Sequence, residues 1–541
     1  MVKESSLGCK PCAQKDLKKY FTMPNSNNDS LFLLVNSLTA VEKRHFKLYI
    51  LRNQSNVEAK FVQLFTVLDS AKEYNENLIF KKIPAISRQQ LPNIKAHLYG
   101  ELLIALRLLH SEKNTEIQIR EQIDFARILY NRGLILQALK ILEKVKITAK
   151  ANSHFILTQD ILQFEKDIES RHITRSLKGR AGMLINETCF VLKQINEVTH
   201  LSNVALLMYE LYLENGHARD EKHSIEIEQI FRKNIEDINE TQISFFGKAY
   251  LHQSYCWYYI IQLDFTRYYR HAQKWVQLFA DFPEVKKDDP FLYVKAMHNL
   301  LNALYITGNY IKMAGELTNF EEFYKTAGNF NRNLEIQTFV YLYTAKINIC
   351  FLEGNFTKGL LLVPKIDERL KEYAQYIDKH RVLVFYYKIA SMHFGAGNND
   401  EAIIYLNKII NLKVGQLRTD IQCFARLLHL IAHFELGNME LVEYLIKSVY
   451  RFLAKMENLD AVLSEIFSFL RKSLLSKPKD LKILFMELRG NLQKTADDKY
   501  NRRSYQYLDI LSWLQSKIEN EPVQNIVRRK FLSIEKKEHN I

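Results

Sequence analysis

Glycine and proline are scarce in this sequence, and long apolar runs are missing from it. The 541 residues include 17 glycines and 9 prolines, well below the usual shares of roughly 7% and 5%. Chains rich in sheet need those residues at their turns, so their scarcity favours long helices joined by short loops. No stretch approaches the run of about 18 apolar residues that a transmembrane helix needs. The first residues also lack the apolar core of a secretory signal.

Cysteine and enzyme motifs are equally sparse. Six cysteines are too few for a disulfide framework in a chain of this length. Together with the missing signal, this predicts a cytoplasmic protein. The sequence contains no GxxxxGK[ST] phosphate loop, no GxGxxG after a strand, no GxSxG elbow and no HExxH pair. We therefore expect a protein that is not an enzyme and that needs no cofactor.

Two residue pairs have spacings that occur in metal sites. His429 and His433 lie four residues apart, which places both on one helical face. A third ligand close by would have to be Cys423 or Glu435. Cys9 and Cys12 form a CxxC pair in the N-terminal tail that we predict to be disordered. The sequence contains no second such pair to complete a tetrahedral zinc site. A packing role for the histidines and a chance CxxC are the better explanations, so we predict no metal site.

The net charge of +14 is concentrated at the two ends of the chain. Residues 1–150 carry 24 Lys and Arg against 14 Asp and Glu, and residues 451–541 carry 18 against 12. The middle, residues 151–450, is close to neutral with 33 against 35. Basic ends can bind nucleic acid, an anionic membrane surface or an acidic protein. An aromatic run at 255–259, with Arg267 and Arg270 nearby, keeps base stacking open as an alternative, although core packing explains it better.

The most informative pattern is a recurring glycine that separates two helical segments. Glycine and asparagine tolerate the left-handed backbone that ends a helix and turns the chain. The last four of these glycines are 46, 43 and 40 residues apart. Helix–turn–helix units at a nearly fixed period are typical of α-solenoids. The turn glycines are Gly133, Gly308, Gly354, Gly397 and Gly437.

Residues 384–412 resemble a tetratricopeptide repeat. That family has a small residue in the first helix, a turn glycine, an early alanine in the second helix and apolar residues after it. Residues 122–148 match the same pattern. Weaker matches surround the three other glycines, where the early alanine is replaced, and a degenerate one covers 249–276. The slots of the two good matches are Ala390, Gly397, Ala402, Leu406, Ile409, and Ala126, Gly133, Ala138, Leu142, Val145.

The resemblance extends to the ends of the chain and implies an overall architecture. The blocks SLTAVEKRHFK and YLDILSWLQSKI are similar to those of bacterial tetratricopeptide-like proteins of about 500 residues. We therefore predict an all-α, right-handed superhelix with helical caps at both ends. The division that we predict is a disordered basic tail at 1–29, an N-terminal cap at 30–114, irregular and tetratricopeptide-like repeats at 115–240, regular repeats at 241–457, and a C-terminal cap and tail at 458–541. Patterning begins near Leu31, so Met1 and Met23 both stay open as the translation start.

The resemblance also implies where a ligand binds. In such arrays the first helix of each unit lines a concave groove, and four of its positions share the face that points into it. Two asparagines then occupy equivalent places in consecutive units, where their amides could hold an extended peptide, and a lysine and a histidine could meet a carboxylate. Val384 and Phe394 share these register positions. The ten candidate peptide-groove residues are Lys295, His298, Asn302, Tyr305, Tyr341, Thr344, Asn348, Phe351, Tyr387 and Ser391.

We therefore expect a non-enzymatic scaffold that binds a protein or peptide. The alternative is a nucleic-acid-associated or transcription-regulatory protein that uses its basic ends, with the repeats as a sensor. A homo-oligomer formed through the end repeats stays open. The sequence does not identify the partner or the pathway.

Overall fold

The described part of the chain is helical throughout. The computed structural model describes residues 29–53, 60–111, 114–172, 179–236, 238–326, 331–412, 415, 418–456, 460–477, 480–495 and 498–538. Every regular element in these residues is a helix, and none of them forms a strand. The predicted all-α class is confirmed. No helix in these ranges combines the length and the apolar character that crossing a membrane requires.

The chain divides into two compact units, with the boundary between Thr188 and Cys189. The five-part division made from the sequence stays a prediction, and of its N-terminal tail only residue 29 lies among the described residues. The first unit contains the following helices and the start of the ninth: α1 Ser30–Ser37, α2 Ala40–Asn53, α3 Lys60–Ser70, α4 Glu76–Lys82, α5 Leu91–Ser111, α6 Thr115–Asn131, α7 Ile135–Ala151, α8 Phe155–Arg171 and α9 Arg180–Asn215.

The second unit contains the remaining helices. They are α10 Glu221–Ile235, α11 Phe245–Ile261, α12 Phe265–Asp281, α13 Pro283–Asp288, α14 Pro290–Ile306, α15 Tyr310–Thr326, α16 Arg332–Glu353, α17 Phe356–Leu360, α18 Val363–Glu372, α19 Lys379–Gly395, α20 Asn399–Ile410, α21 Thr419–Glu435, α22 Met439–Lys455, α23 Ala461–Leu474, α24 Leu481–Thr495, α25 Arg502–Tyr507, α26 Ile510–Glu519 and α27 Val523–Glu538.

The N-terminal helices begin where local capping predicts. The Asp29 side chain accepts hydrogen bonds from the first backbone amides of α1 and forms an ion pair with Lys95. Thr39 and Glu42 have the spacing of a capping box and form one, in which the Thr39 amide donates to Glu42 at 2.7 Å and the Glu42 amide donates to Thr39 Oγ1 at 3.3 Å. Helices α1 to α5 then enclose one apolar core that includes Phe46 and Phe65.

All five turn glycines have left-handed backbone, with φ between 62° and 84°. Each turn closes in the same way. At Gly397, for example, the glycine amide donates to the carbonyl three residues back and the next amide donates to the carbonyl five residues back, a Schellman motif. Leu263 repeats this geometry with φ 58°, so the degenerate turn predicted near it is confirmed. Ser153 does the same between α7 and α8, a turn that the sequence did not reveal.

Two segments differ from the sequence-based expectation. Residues 278–290 contain two prolines and a charge cluster, a composition that is typical of a loop. They form the end of α12, the short helix α13 and the first residue of α14. Pro283 and Pro290 each occupy the first position of a helix, where proline is favoured because its missing N–H is not needed. The second helix after Gly354 is also interrupted, since α17 ends at Leu360 and α18 restarts with Pro364 in its first turn.

Candidate functional site

The candidate site lies in the second unit, between the first helices of successive helix pairs. Helix α14 packs against α16, α16 against α19, and α19 against α21. Each pair then places its second helix behind the first, as in α14 with α15 and α19 with α20. The inner faces of these first helices surround a cavity of about 540 Å³, within the range of roughly 300–1,000 Å³ that is usual for small-molecule sites.

Nine of the ten candidate groove residues line this one cavity. They come from α14, α16 and α19, and Val384 and Phe394 line it as well. Asn348 does not line it, because its side chain is only 1% exposed and its Oδ1 accepts a hydrogen bond of 2.6 Å from Lys388 Nζ. The nine are Lys295, His298, Asn302, Tyr305, Tyr341, Thr344, Phe351, Tyr387 and Ser391.

Both asparagines are engaged in hydrogen bonds within the protein. Asn302 Nδ2 donates to the Tyr268 hydroxyl at 3.2 Å, and that hydroxyl donates to Asn299 Oδ1 at 3.3 Å. Asn348 is engaged with Lys388. The amide ladder expected from the register stays a prediction for Asn302, which lines the cavity, whereas Asn348 lies outside the lining and is bonded to Lys388.

His298 is a neutral aromatic wall of the cavity rather than a cation. Its ring stacks on Tyr341 with the centroids 3.8 Å apart and the planes at 8°. Burial lowers the pKa of His298 to about 3, and the nearby charges of Arg381 and Lys388 lower it further in the same direction. Without a ligand the His298 ring is therefore uncharged at neutral pH, and its N–H can offer a carboxylate a hydrogen bond rather than an ion pair.

The positive charge of the cavity comes from two lysines and an arginine. Burial lowers the pKa of Lys295 to about 8, with Arg381 acting in the same direction and Asp289 opposing it. Burial also lowers the pKa of Lys388 to about 8. Lys388 Nζ lies 5.2 Å from the centre of the Tyr305 ring and 5.8 Å from that of Phe351, which are cation–π distances.

A second arginine in the lining is already neutralised. Arg418 Nε and Nη2 donate to both carboxylate oxygens of Asp420 at 2.7–3.1 Å, and the Tyr507 hydroxyl also donates to Asp420. Burial alone would raise the pKa of Asp420, but Arg418 and Tyr507 hold it well below its usual range. This bidentate pair therefore contributes structure to the cavity wall and little net charge.

The C-terminal segment of the chain forms part of the same wall. Residues 505–509 line the cavity, as do Val523 and Val527. The Tyr387 hydroxyl donates to the Tyr507 carbonyl at 2.8 Å, and the Tyr507 ring stacks on Phe424 at 4.6 Å. These contacts join residues more than 80 positions apart in sequence.

Helices α26 and α27 fix this segment against the repeats. Trp513 is 1% exposed, and its Nε1 donates to Glu435 at 2.7 Å. Gln524 accepts two hydrogen bonds from Thr357, one from the backbone amide at 2.8 Å and one from the hydroxyl at 2.9 Å. A Cβ atom at Gly354 would lie 2.8 Å from the Arg528 Cα atom, so glycine is required there for close approach as well as for its φ of 62°.

Sequence reasoning missed Lys388, Arg381 and the C-terminal wall. Lys388 did have a signal, because it is a lone charge in the apolar stretch VFYYKIA and lies four residues after Val384, on the same helical face. Arg381 lies outside the four register positions of α19. No local sequence pattern predicts that residues 505–527 pack against the repeat helices, because this packing depends on contacts between distant parts of the chain.

The other candidate sites are accounted for by packing. The rings of His429 and His433 meet edge to face at 4.6 Å, and in the described ranges no three His, Cys, Asp or Glu side chains are grouped to hold a metal ion. Cys9 and Cys12 lie outside these ranges. In the aromatic run, Tyr258 stacks on Phe231 at 4.2 Å and Tyr255 stacks on His271 at 4.1 Å. The run therefore packs against its own unit, as expected.

Comparison with known proteins adds no family. No protein-family model matches the chain, and no curated protein matches it significantly. The fold defines the class, an all-helical protein built from packed helix pairs with repeated turns. The tetratricopeptide assignment therefore rests on the resemblance given above.

Proposed function

We propose that this chain is a non-enzymatic binding protein whose cavity holds a segment of a partner protein. One observation supports this above all: nine residues chosen by helical register from three successive units line a single cavity. Its mixture of aromatic walls and a few polar groups is typical of binding sites. The proposal includes a tetratricopeptide-like origin, supported by the repeated turns, and a cytoplasmic location, supported by the low cysteine content.

The C-terminal wall limits how a peptide binds. Residues 505–509 cover part of the inner face that an extended peptide would follow. A partner segment therefore enters by a chain end or a tight loop rather than lying along every inner helix. This differs from the open groove that the register alone suggests.

In the described part of the two basic ends, several positive charges already have partners within the protein. Lys43 in the basic N-terminal region pairs with Asp69 at 2.6 Å. Arg529 in the basic C-terminal region pairs with Glu519 and with Glu521, and the Arg528 guanidinium donates to the Glu353 carbonyl at 3.2 Å. Charges that are engaged in this way are less available to phosphates.

The test is capture of a partner with and without nuclease, using a variant that fills the cavity. In Ser391→Phe the new ring occupies cavity volume. The matched control is Thr318→Phe, because Thr318 is an exposed hydroxyl residue on α15 that bonds to the carbonyl four residues back, as Ser391 does. The proposal expects a protein that survives nuclease, is lost with Ser391→Phe and is kept with Thr318→Phe. Equal capture by both variants contradicts it, and nuclease-sensitive nucleic acid would support the alternative.

A further inference from the structure

We propose that the cavity binds a dianionic phosphate monoester carried on a flat apolar body, with Lys295, Lys388 and Arg381 as its cationic partners. This inference rests on the proposed function only in treating the cavity as a ligand site. It is tested with free probes, so the absence of a protein partner and the absence of probe binding are separate results.

The first support is unbalanced charge. Among the described residues that line the cavity, Asp509 is the one acidic side chain, and its Oδ1 accepts the Ser512 amide at the start of α26 at 3.0 Å. No carboxylate in the described part of the chain forms an ion pair with Lys295 or Lys388, and the contact of Lys388 is to the neutral amide of Asn348. Buried cations normally have an anionic partner. The ammonium groups of Lys295 and Lys388 have none among the described residues, so an anionic ligand could pair with both.

The cations surround a common region of the cavity. Arg381 lies over the Tyr341 ring, with its guanidinium carbon 5.7 Å from the ring centre, and Tyr341 is the ring that stacks on His298. The charges of Lys295, Arg381 and Lys388 all act on His298. Arg381 pairs with Asp378 at 3.2 Å and hydrogen-bonds to Tyr341, and the remaining donors among the five of its guanidinium are left for a ligand.

The lysines keep their charge at neutral pH. Their pKa values are lowered to about 8 by burial, so both ammonium groups remain mostly protonated at pH 7. Arg418 adds no further charge because Asp420 already neutralises it. The excess positive charge in the cavity wall therefore comes from Lys295 and Lys388, which have no ion-pair partner among the described residues, and from Arg381, which pairs with Asp378. A phosphate monoester carries about −1.5 to −2 at pH 7 and offers three acceptor oxygens, which a single carboxylate does not.

The walls favour a flat apolar body next to that anion. The Trp257 ring lies 4.9 Å from Tyr209 and 5.2 Å from Tyr212, and all three line the cavity. Two buried nitrogens of the lining lack a hydrogen-bond partner among the described residues, Trp257 Nε1 and His380 Nδ1. Such groups cost stability unless a ligand or water satisfies them. Ring stacking would hold the apolar part of the ligand, and the two nitrogens are placed to bond to a polar atom of the ligand or to water.

The experiment titrates the full-length chain with phenyl phosphate and follows its fluorescence and melting temperature. Three further probes separate the contributions: inorganic phosphate has the charge without the ring, benzoate has a ring with one charge, and phenol has the ring alone. Phenyl phosphate is expected to bind about tenfold or more tightly than benzoate, and phenol is expected not to bind. A short phosphotyrosine peptide, compared with phenyl phosphate, distinguishes a partner chain from a small molecule as the source of the phosphate.

Two variants and a control locate the site. Lys295→Met and Lys388→Met keep the length of the side chain and remove its charge, and replacing a buried ion by an apolar group of similar size usually preserves the fold. Each is expected to weaken phenyl phosphate binding about tenfold or more. The control is Lys447→Met, because Lys447 is exposed on α22 and pairs with Glu443, and it should leave binding unchanged.

Three results would overturn the proposal. The first is the lack of saturable phenyl phosphate binding by the wild-type chain. The second is binding of benzoate as tight as that of phenyl phosphate, because that would remove the case for a dianion. The third is unchanged binding in both Lys295→Met and Lys388→Met while their melting curves stay cooperative.

Discussion

Replacing Lys388 by methionine should make the protein more stable at pH 7. The Lys388 ammonium is buried on α19 between two aromatic rings, and the contact of its Nζ is to the amide oxygen of Asn348. An unpaired charge in such a place destabilises the fold. Methionine fills nearly the same volume without a charge, so the variant removes that cost and keeps the packing.

The magnitude follows from the pKa. A fall in the pKa of Lys388 from 10.5 to about 8 corresponds to about 3 kcal/mol of destabilisation when the group is protonated. Against this, the variant leaves Asn348 Oδ1 buried without its donor, which costs about 1–2 kcal/mol. The net expectation at pH 7 is an increase of about 1–2 kcal/mol in the free energy of unfolding.

The pH dependence gives the effect a signature. Between pH 8 and pH 10.5 the unfolded chain still holds the Lys388 proton that the folded chain has released, so wild-type stability rises with pH relative to the variant. Above pH 10.5 only the lost hydrogen bond remains. Lys388→Met is then expected to be less stable than wild type by about 1 kcal/mol.

The assay is urea unfolding followed by tryptophan fluorescence at pH 7 and near pH 10. Trp257, Trp275 and Trp513 all lie in the second unit, so the signal reports on the unit that contains the cavity. The exposed Lys447→Met is the control and should change little at either pH. A loss of stability in Lys388→Met that is the same at both pH values would refute the reasoning, because the ammonium would then carry no uncompensated charge.

Two further predictions concern the walls of the cavity. Gly354→Ala should destabilise the second unit more than Gly437→Ala, by about 1 kcal/mol or more in urea unfolding, because both strain a left-handed residue but only the first meets the backbone of α27. Asp420→Asn should cost about 3–5 kcal/mol at pH 7, since it leaves Arg418 buried without its partner. The Asp420 carboxylate contributes fully to the free energy of unfolding above its unfolded pKa near 4, and this contribution is lost as pH falls through its lower folded pKa. The difference in melting temperature between wild type and Asp420→Asn should therefore shrink in acid.

The parts of the structure that are encoded locally could be predicted from the sequence. The turn at Gly397 needs only a residue that tolerates positive φ and two nearby carbonyls, so a glycine after a helical pattern is enough to identify it. Nine residues of the cavity lining followed from helical register, because residues at positions three, four and seven apart share a face whatever packs against them.

The remaining features depend on contacts that no local pattern records. Two prolines in residues 278–290 favour a loop by composition, whereas both of them start helices. Asn348 has the right register for the groove but is covered when Lys388 of the next unit reaches it. The wall formed by residues 505–527 depends on contacts between residues that are 78 and 120 positions apart in sequence.

The position of α26 and α27 on the repeats has a consequence for synthesis of the protein. Every helix that this segment contacts leaves the ribosome before it, and domains fold progressively as the chain emerges. Helix pairs such as α14–α15 and α19–α20 have their turns encoded locally and can form early, but their inner faces stay open until Tyr507 and Trp513 arrive. During that interval the chain exposes a broad aromatic surface that the finished protein conceals. Residues 505–527 are made after the helix pairs that they contact, and their arrival completes the wall of the cavity.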